Sequence, residues 1–196
     1  MRKLKYLIFG ILLLLMTSCS WMFYDNFQKF DDEFKNSRKV IARIDLDPQE
    51  RRTEINSAHV IFEREISDKQ DKVKAFFVIA RSSTSFKIEN LGYLKADNQS
   101  FEINIINPVS EYKSKSESSV ETYTKTDSTG VKIGQTTDID ERIWIDDKFI
   151  FSLSPEMISN IKKTDEFSLR FYFGPIPATF RFKGSKLKPI HKMLNE

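Results

Sequence analysis

Phe167-Ser168-Leu169-Arg170-Phe171-Tyr172-Phe173-Gly174-Pro175-Ile176-Pro177-Ala178-Thr179-Phe180-Arg181-Phe182 is the stretch whose reading decides the fold. Successive side chains of an extended chain point to opposite faces, so Phe167, Leu169, Phe171 and Phe173 share one face. Ala178, Phe180 and Phe182 repeat the pattern after the loop that starts at Gly174-Pro175. A period of two with a glycine-proline break predicts a β-hairpin, apolar on one side and polar on the other. Its polar side carries Arg170, Arg181 and Lys183, a candidate contact for a small anion or a headgroup. The competing reading is the solvated side of an amphipathic sheet, its charge balanced by neighbouring acids.

The same period continues through the rest of the chain. Val40, Ala42, Ile44 and Leu46 alternate with Ile41, Arg43 and Asp45, and Ala58, Val60 and Phe62 alternate with His59, Ile61 and Glu63. Residues 73–80 are apolar on both faces, as a central strand should be. Phe86 and Ile88, residues 91–94, and Phe101, Ile103 and Ile105 extend the series. Ile143 and Ile145 lead through Asp146-Asp147 into Phe149, Phe151 and Leu153, which reads as another hairpin turning at the two aspartates. Ser154-Pro155-Glu156 predicts a helix start, with an N-cap hydroxyl, a proline at the first helical position and an acid in the first turn. That helix should end by Thr164, and a short terminal helix with Ile190 and Leu194 follows Pro189.

Two segments differ from the alternating pattern. Phe23, Phe27, Phe30 and Phe34 are spaced four, three and four, which predicts an amphipathic helix over residues 21–36. Its face either docks on the domain or, through Trp21, Met22, Phe23 and Tyr24, meets a lipid interface. Residues 110–130 contain ten serines and threonines, mixed with lysine and glutamate. Threonine alternation in residues 121–126 favours a polar hairpin standing out of the domain over a disordered loop. The expected fold is therefore mostly β: an antiparallel sandwich or barrel-like domain over 39–196, an N-terminal helix or stalk over 19–38, and one or two short C-terminal helices.

The first twenty residues follow a different grammar. Arg2, Lys3 and Lys5 precede an apolar run over 6–16, too short for a bilayer span of roughly 20 residues, and then Thr17-Ser18-Cys19. Met16-Thr17-Ser18-Cys19 resembles the lipobox of bacterial lipoproteins, with methionine where that family favours leucine. The resemblance covers only this segment. It implies removal of residues 1–18 by cleavage between Ser18 and Cys19, diacylglycerol on the Cys19 sulfur and an acyl chain on its new amine. Several acyl chains together anchor stably where one does not. Ser20, in place of aspartate, implies passage to the outer membrane by the enterobacterial sorting habit. Cys19 is the only cysteine, so the chain can form no internal disulfide.

The formal charge of +3 resides in the segment expected to be removed. Without Arg2, Lys3 and Lys5, 28 Lys and Arg face 28 Asp and Glu. A neutral mature chain gives no electrostatic case for nucleic acid.

Chemistry has little foothold in the sequence. There is no Gly-x-Ser-x-Gly, the single thiol is assigned to lipid, and His59 and His191 are the only imidazoles. Both histidines read as surface residues without a partner motif. Asp138, Asp140, Asp146 and Asp147 are the best metal candidates, but their spacing matches no calcium loop, and solvated strand-end carboxylates explain them more simply. No metal and no cofactor other than the lipid on Cys19 is expected. The leading expectation is a non-enzymatic, membrane-anchored protein whose β-domain binds an envelope protein, glycan or lipid, or has an envelope-structural role. A barrel carrying a small apolar ligand inside is the alternative, and an enzyme is third.

Overall fold

The structure, a computed structural model, describes residues 26–49, 54–82, 86–127 and 130–196, with the backbone alone over 120–138. In chain order the elements are β1 (Phe27–Asp32), β2 (Ser37–Leu46), β3 (Ile55–Ser67), β4 (Gln70–Ser82), β5 (Leu91–Ala96), β6 (Gln99–Asn104), β7 (Ile106–Asp127) and β8 (Gly130–Leu153). They are followed by α1 (Pro155–Lys163), β9 (Glu166–Phe173), β10 (Ile176–Lys183) and α2 (Lys188–Leu194). One antiparallel sheet has the order β1-β2-β3-β4-β8-β7, the other β10-β9-β5-β6.

The phenylalanine hairpin forms as its alternation predicts. Phe173 pairs with Ile176 and Phe167 with Phe182, so Gly174 and Pro175 make a two-residue loop. Gly174 has φ +56°, a conformation that costs glycine little and other residues more. The inward rings of this hairpin meet those of the larger sheet in sandwich-like packing. Phe171 lies 5.1 Å from Phe77 and 4.8 Å from Phe149 between ring centroids, and Phe182 lies 5.8 Å from Phe62. Gly92 of β5 leaves room for this, because a Cβ there would stand 2.7 Å from the Phe171 ring. Val40, Ala42, Val60, Ala75 and Ile79 complete the interior from the larger sheet.

Both C-terminal helices are present. Ser154 caps α1, its hydroxyl accepting from the Met157 amide at 3.2 Å, and Pro155 opens the first turn. The chain leaves α1 at Thr164, as expected. In α2, Ile190, Met193 and Leu194 are buried. The Arg64 guanidinium donates to the carbonyls of Leu194 (2.7 Å) and Met193 (3.2 Å) and forks onto Asp71 at 2.7 and 2.8 Å. It therefore satisfies terminal carbonyls that the helix cannot bond itself. Among the described residues no helix is long and apolar enough to cross a membrane.

Two expectations need correction. The helix predicted over 21–36 is replaced, from Phe27 on, by strand β1, which pairs with β2 from Phe27↔Ala42 to Asp32↔Ser37. Local turn chemistry wins over the ring spacing: the Asp32 carboxylate accepts from the amides of Phe34 (3.1 Å) and Lys35 (3.2 Å), and Asn36 takes φ +47°. Phe27 packs against the core, while Phe30 and Phe34 are exposed. Trp21, Met22, Phe23 and Tyr24 lie outside the described residues. The second correction concerns Asp146-Asp147. They do not turn the chain: β8 runs unbroken from Gly130 to Leu153, with Asp146 and Asp147 laddered to β4 and β7 and the Asp147 carboxylate paired with Arg81.

Candidate functional site

The hairpin expected over 110–130 is present, and it is part of something larger. β7 and β8 pair from Ile106↔Ile150 to Asp127↔Gly130. The other neighbour of β8 is β4, whose pairing ends at Ser82↔Trp144. Beyond that point residues 114–127 and 130–143 have only one another for ladder partners among the described residues. At about 3.3 Å per residue this two-stranded ribbon extends about 45 Å past the body.

The ribbon's two faces differ, and the alternation along each strand says why. Residues directly opposite one another share a face. Tyr112 stands opposite Ile145, Ser114 opposite Ile143, Ser116 opposite Glu141 and Ser118 opposite Ile139, so large apolar side chains share this face with serines and one exposed carboxylate. That face continues the interior side of the sheet, since Ile145 and Phe149 are buried at its base. Past the end of the smaller sheet no described residue covers it, leaving Tyr112 73 %, Ile139 70 % and Ile143 57 % exposed. The reverse face is charged: Lys113, Lys115, Glu117, Asp140 and Arg142 lie there, with Arg142 bonded to Asp140 at 3.1 Å.

The root of the ribbon is fixed electrostatically. Arg81 and Asp147, both almost fully buried, form an ion pair, and the Ser110 hydroxyl donates to Asp147 at 2.5 Å. Arg81 also lies 5.1 Å above the Phe173 ring, which ties the ribbon's base to the smaller sheet. On the opposite face Glu111 accepts from Lys148 at 2.7 Å and from Lys113 at 2.9 Å. These two hydrogen bonds, Lys148's first, hold the exposed Glu111 carboxyl at about 2, below its ordinary range.

The hairpin cations are only partly brought together. Arg170 and Arg181 line one open depression on the outer face of the smaller sheet, together with Lys95, Ser168 and Thr179. Arg170 Nε donates to Thr179 Oγ1 at 2.8 Å, and Arg181 pairs with Glu166. Lys183 faces Glu166 across the ladder and does not line the depression. Lys95 was not singled out from sequence because it sits on another strand, β5. Only the ladder Lys95↔Ser168 brings it to β9.

The four aspartates are spread apart. Asp140 bonds Arg142, Asp146 accepts from Trp144 Nε1 at 2.9 Å on the same face of β8, and Asp147 points the other way into the interior. Asp138 stands opposite Ser119 in the ladder, and its side chain is outside the described ones. Among the described residues no group of three or more metal-ligating side chains forms. Asp147, read from sequence as a solvated strand-end group, is instead a buried counter-ion. Arg81 carried no sequence signal: it directly follows the apolar run over 73–80 and belongs to no motif. His59 Nδ1 is 2.7 Å from Asp45 in solvent, and His191 Nε2 reaches the Ile161 carbonyl at 2.8 Å, joining α2 to α1. Ser18 and Cys19 lie outside the described residues.

No family model, no curated protein and no solved structure matches this chain.

Proposed function

We propose that this chain is an exported bacterial lipoprotein, lipidated on Cys19 and destined for the outer membrane, that acts as a non-enzymatic binding module for a protein partner. The two-sheet body is the mount, and the β7–β8 ribbon is the contact arm. The observation that carries this reading is the exposure of three large apolar side chains on one face of the ribbon, Tyr112, Ile139 and Ile143, each more than half exposed among serines and Glu141. An isolated two-stranded ribbon is marginally stable in water, so a third strand or a covering surface from a partner has much to add. Exposed apolar residues rimmed by polar ones are the usual mark of an interaction site.

The body itself argues against a carrier of apolar molecules. The space between the sheets holds Phe62, Phe77, Phe151, Phe171, Phe180 and Phe182, all fully buried. A ligand would have to displace rings that already fill the interior.

The test is co-purification from detergent-solubilised envelopes, comparing the wild type with a Tyr112→Ser, Ile139→Ser, Ile143→Ser triple variant. The expected outcome is a protein partner with the wild type and its loss with the variant, both proteins keeping the same unfolding midpoint. Equal recovery of the partner with both would remove the arm from the account. Cys19→Ser tests the anchor separately: the variant should leave the membrane fraction after a salt wash, and full retention would contradict the lipobox reading.

A further inference from the structure

We infer that the partner of the arm is a second copy of this chain, joined antiparallel along the free edge of β7 about a two-fold axis at Ser118. This rests on the reading of the ribbon as a contact arm and names what it contacts. Among the described residues β7 is the outermost strand of its sheet, and its outward backbone amides and carbonyls have no ladder partner there over a length unusual for an edge.

The window available for pairing is bounded by the chain itself. At its start the register shifts between Ile106 and Val109, with Asn107 at φ +51°. Pro108 has no amide to give, so pairing begins at Val109. At its far end β7 stops at Asp127. Two copies that use this whole window in antiparallel register place Val109 opposite Asp127, and Ser118 falls at the centre, opposite itself.

The charge pattern of β7 selects the same register independently. With Ser118 at the centre, Lys115 of one copy stands opposite Glu121 of the other and Glu111 opposite Lys125, each twice by symmetry. No like charges are opposed. Moving the centre to Ser119 opposes Glu111 with Asp127, Lys113 with Lys125 and Glu117 with Glu121, all like. Moving it to Glu117 opposes that residue with itself and leaves only Lys113 opposite Glu121, two opposite pairs where the Ser118 register has four. Opposite charges directly across a ladder stabilise it and like charges destabilise it, so the sequence specifies one register among its neighbours. A two-fold edge contact also closes on itself, consuming the exposed edge in a dimer instead of propagating a fibre.

The experiment uses the mature chain carrying Cys19→Ser, so that an introduced thiol is the only one. Ser118→Cys should cross-link under mild oxidation to a covalent dimer. Directly opposed residues have Cα atoms within the range a disulfide bridges. Ser114→Cys should not, because its two copies stand about 26 Å apart in this register. Light scattering should show a dimer for the uncross-linked protein at micromolar concentration. Lys115→Glu should weaken it by about tenfold or more, and Lys115→Glu with Glu121→Lys should restore it. A monomer at all accessible concentrations, or cross-linking as efficient at Ser114 as at Ser118, would overturn the inference. Should the arm variant nevertheless lose a different envelope protein, self-pairing falls while the arm reading stands. Should it lose nothing, both fall.

Discussion

The body and the ribbon are built from the same kind of strand and hold together for different reasons. In the body, inward positions meet a second layer: Phe171 packs near Phe77, Phe149 and Phe151 across the sheets and Phe180 along its own. In the ribbon Ile143 and Ile139 continue the face outward from Ile145, with Glu141 between them, and no described residue supplies a second layer. Alternation alone gives a strand its faces; burial decides whether a face stabilises the fold or waits for a partner. The difference should appear as a gradient of mutational cost from the centre of the body to the tip of the ribbon.

The steepest losses belong to the interior and to the ribbon's root. Phe171→Ala removes a fully buried ring and should cost about 3–5 kcal/mol in denaturant unfolding. A cost below about 1 kcal/mol would mean that the sheets do not pack on this ring. Arg81→Met leaves Asp147 buried without its counter-ion and should cost a comparable amount, about 3–5 kcal/mol. Arg81→Met with Asp147→Leu should recover much of this loss, since removing both charges removes the desolvated carboxylate. Failure of the double variant to recover would show that the pair does more than neutralise itself.

Intermediate effects are expected where the C-terminus is tied down. Arg64→Met loses its bonds to Leu194, Met193 and Asp71 and should cost about 1.5–3 kcal/mol, with earlier proteolysis at α2. The Arg64 hydrogen bond lowers the Asp71 pKa, so its contribution is present above the ordinary carboxylate range and lost as pH falls below it. The wild type should therefore lose more stability on acidification than Arg64→Met does.

A smaller effect marks the ribbon's root on its solvent side. Glu111 is held at about 2, so its share of stability is complete above its unfolded value near 4.5 and disappears as pH falls through about 2. Lys148→Ala should move the Glu111 titration, followed by carboxyl NMR, back toward the ordinary range while hardly changing the unfolding midpoint. An unchanged titration would mean that Lys113 alone holds the carboxylate.

Much of this arrangement was legible in the sequence. The alternation of Phe167 to Phe182 gave the hairpin and its inward rings, and Ser154-Pro155 gave the start of α1. The projecting hairpin was legible from its threonines, but its length was not. The Asp146-Asp147 pair looked like a turn, but Asp147 lies in ladders with Ile79 and Ser110 and is neutralised by Arg81, partners distant in sequence. From Phe27 on, the helix expected over 21–36 gives way to a strand for the opposite reason: the ring spacing was real, but Asp32 and Asn36 closed a turn that spacing cannot register. At the site, Arg170 and Arg181 were placed on one face by local period, whereas Lys95 joined them through a pairing that no local pattern encodes.

The most direct measurement replaces the distal ribbon, residues 117–140, by Asn-Gly, a two-residue turn suited to joining Ser116 to Glu141, which already stand opposite one another. Urea unfolding of this variant beside the wild type in dilute solution reads out how far the ribbon supports the body. The account predicts unfolding free energies within about 1 kcal/mol of one another, because beyond Trp144 the two strands have only one another for ladder partners among the described residues. It also predicts loss of partner binding. A fall comparable to that of Phe171→Ala would contradict it, showing the ribbon to be part of the folding unit and not an arm mounted on it.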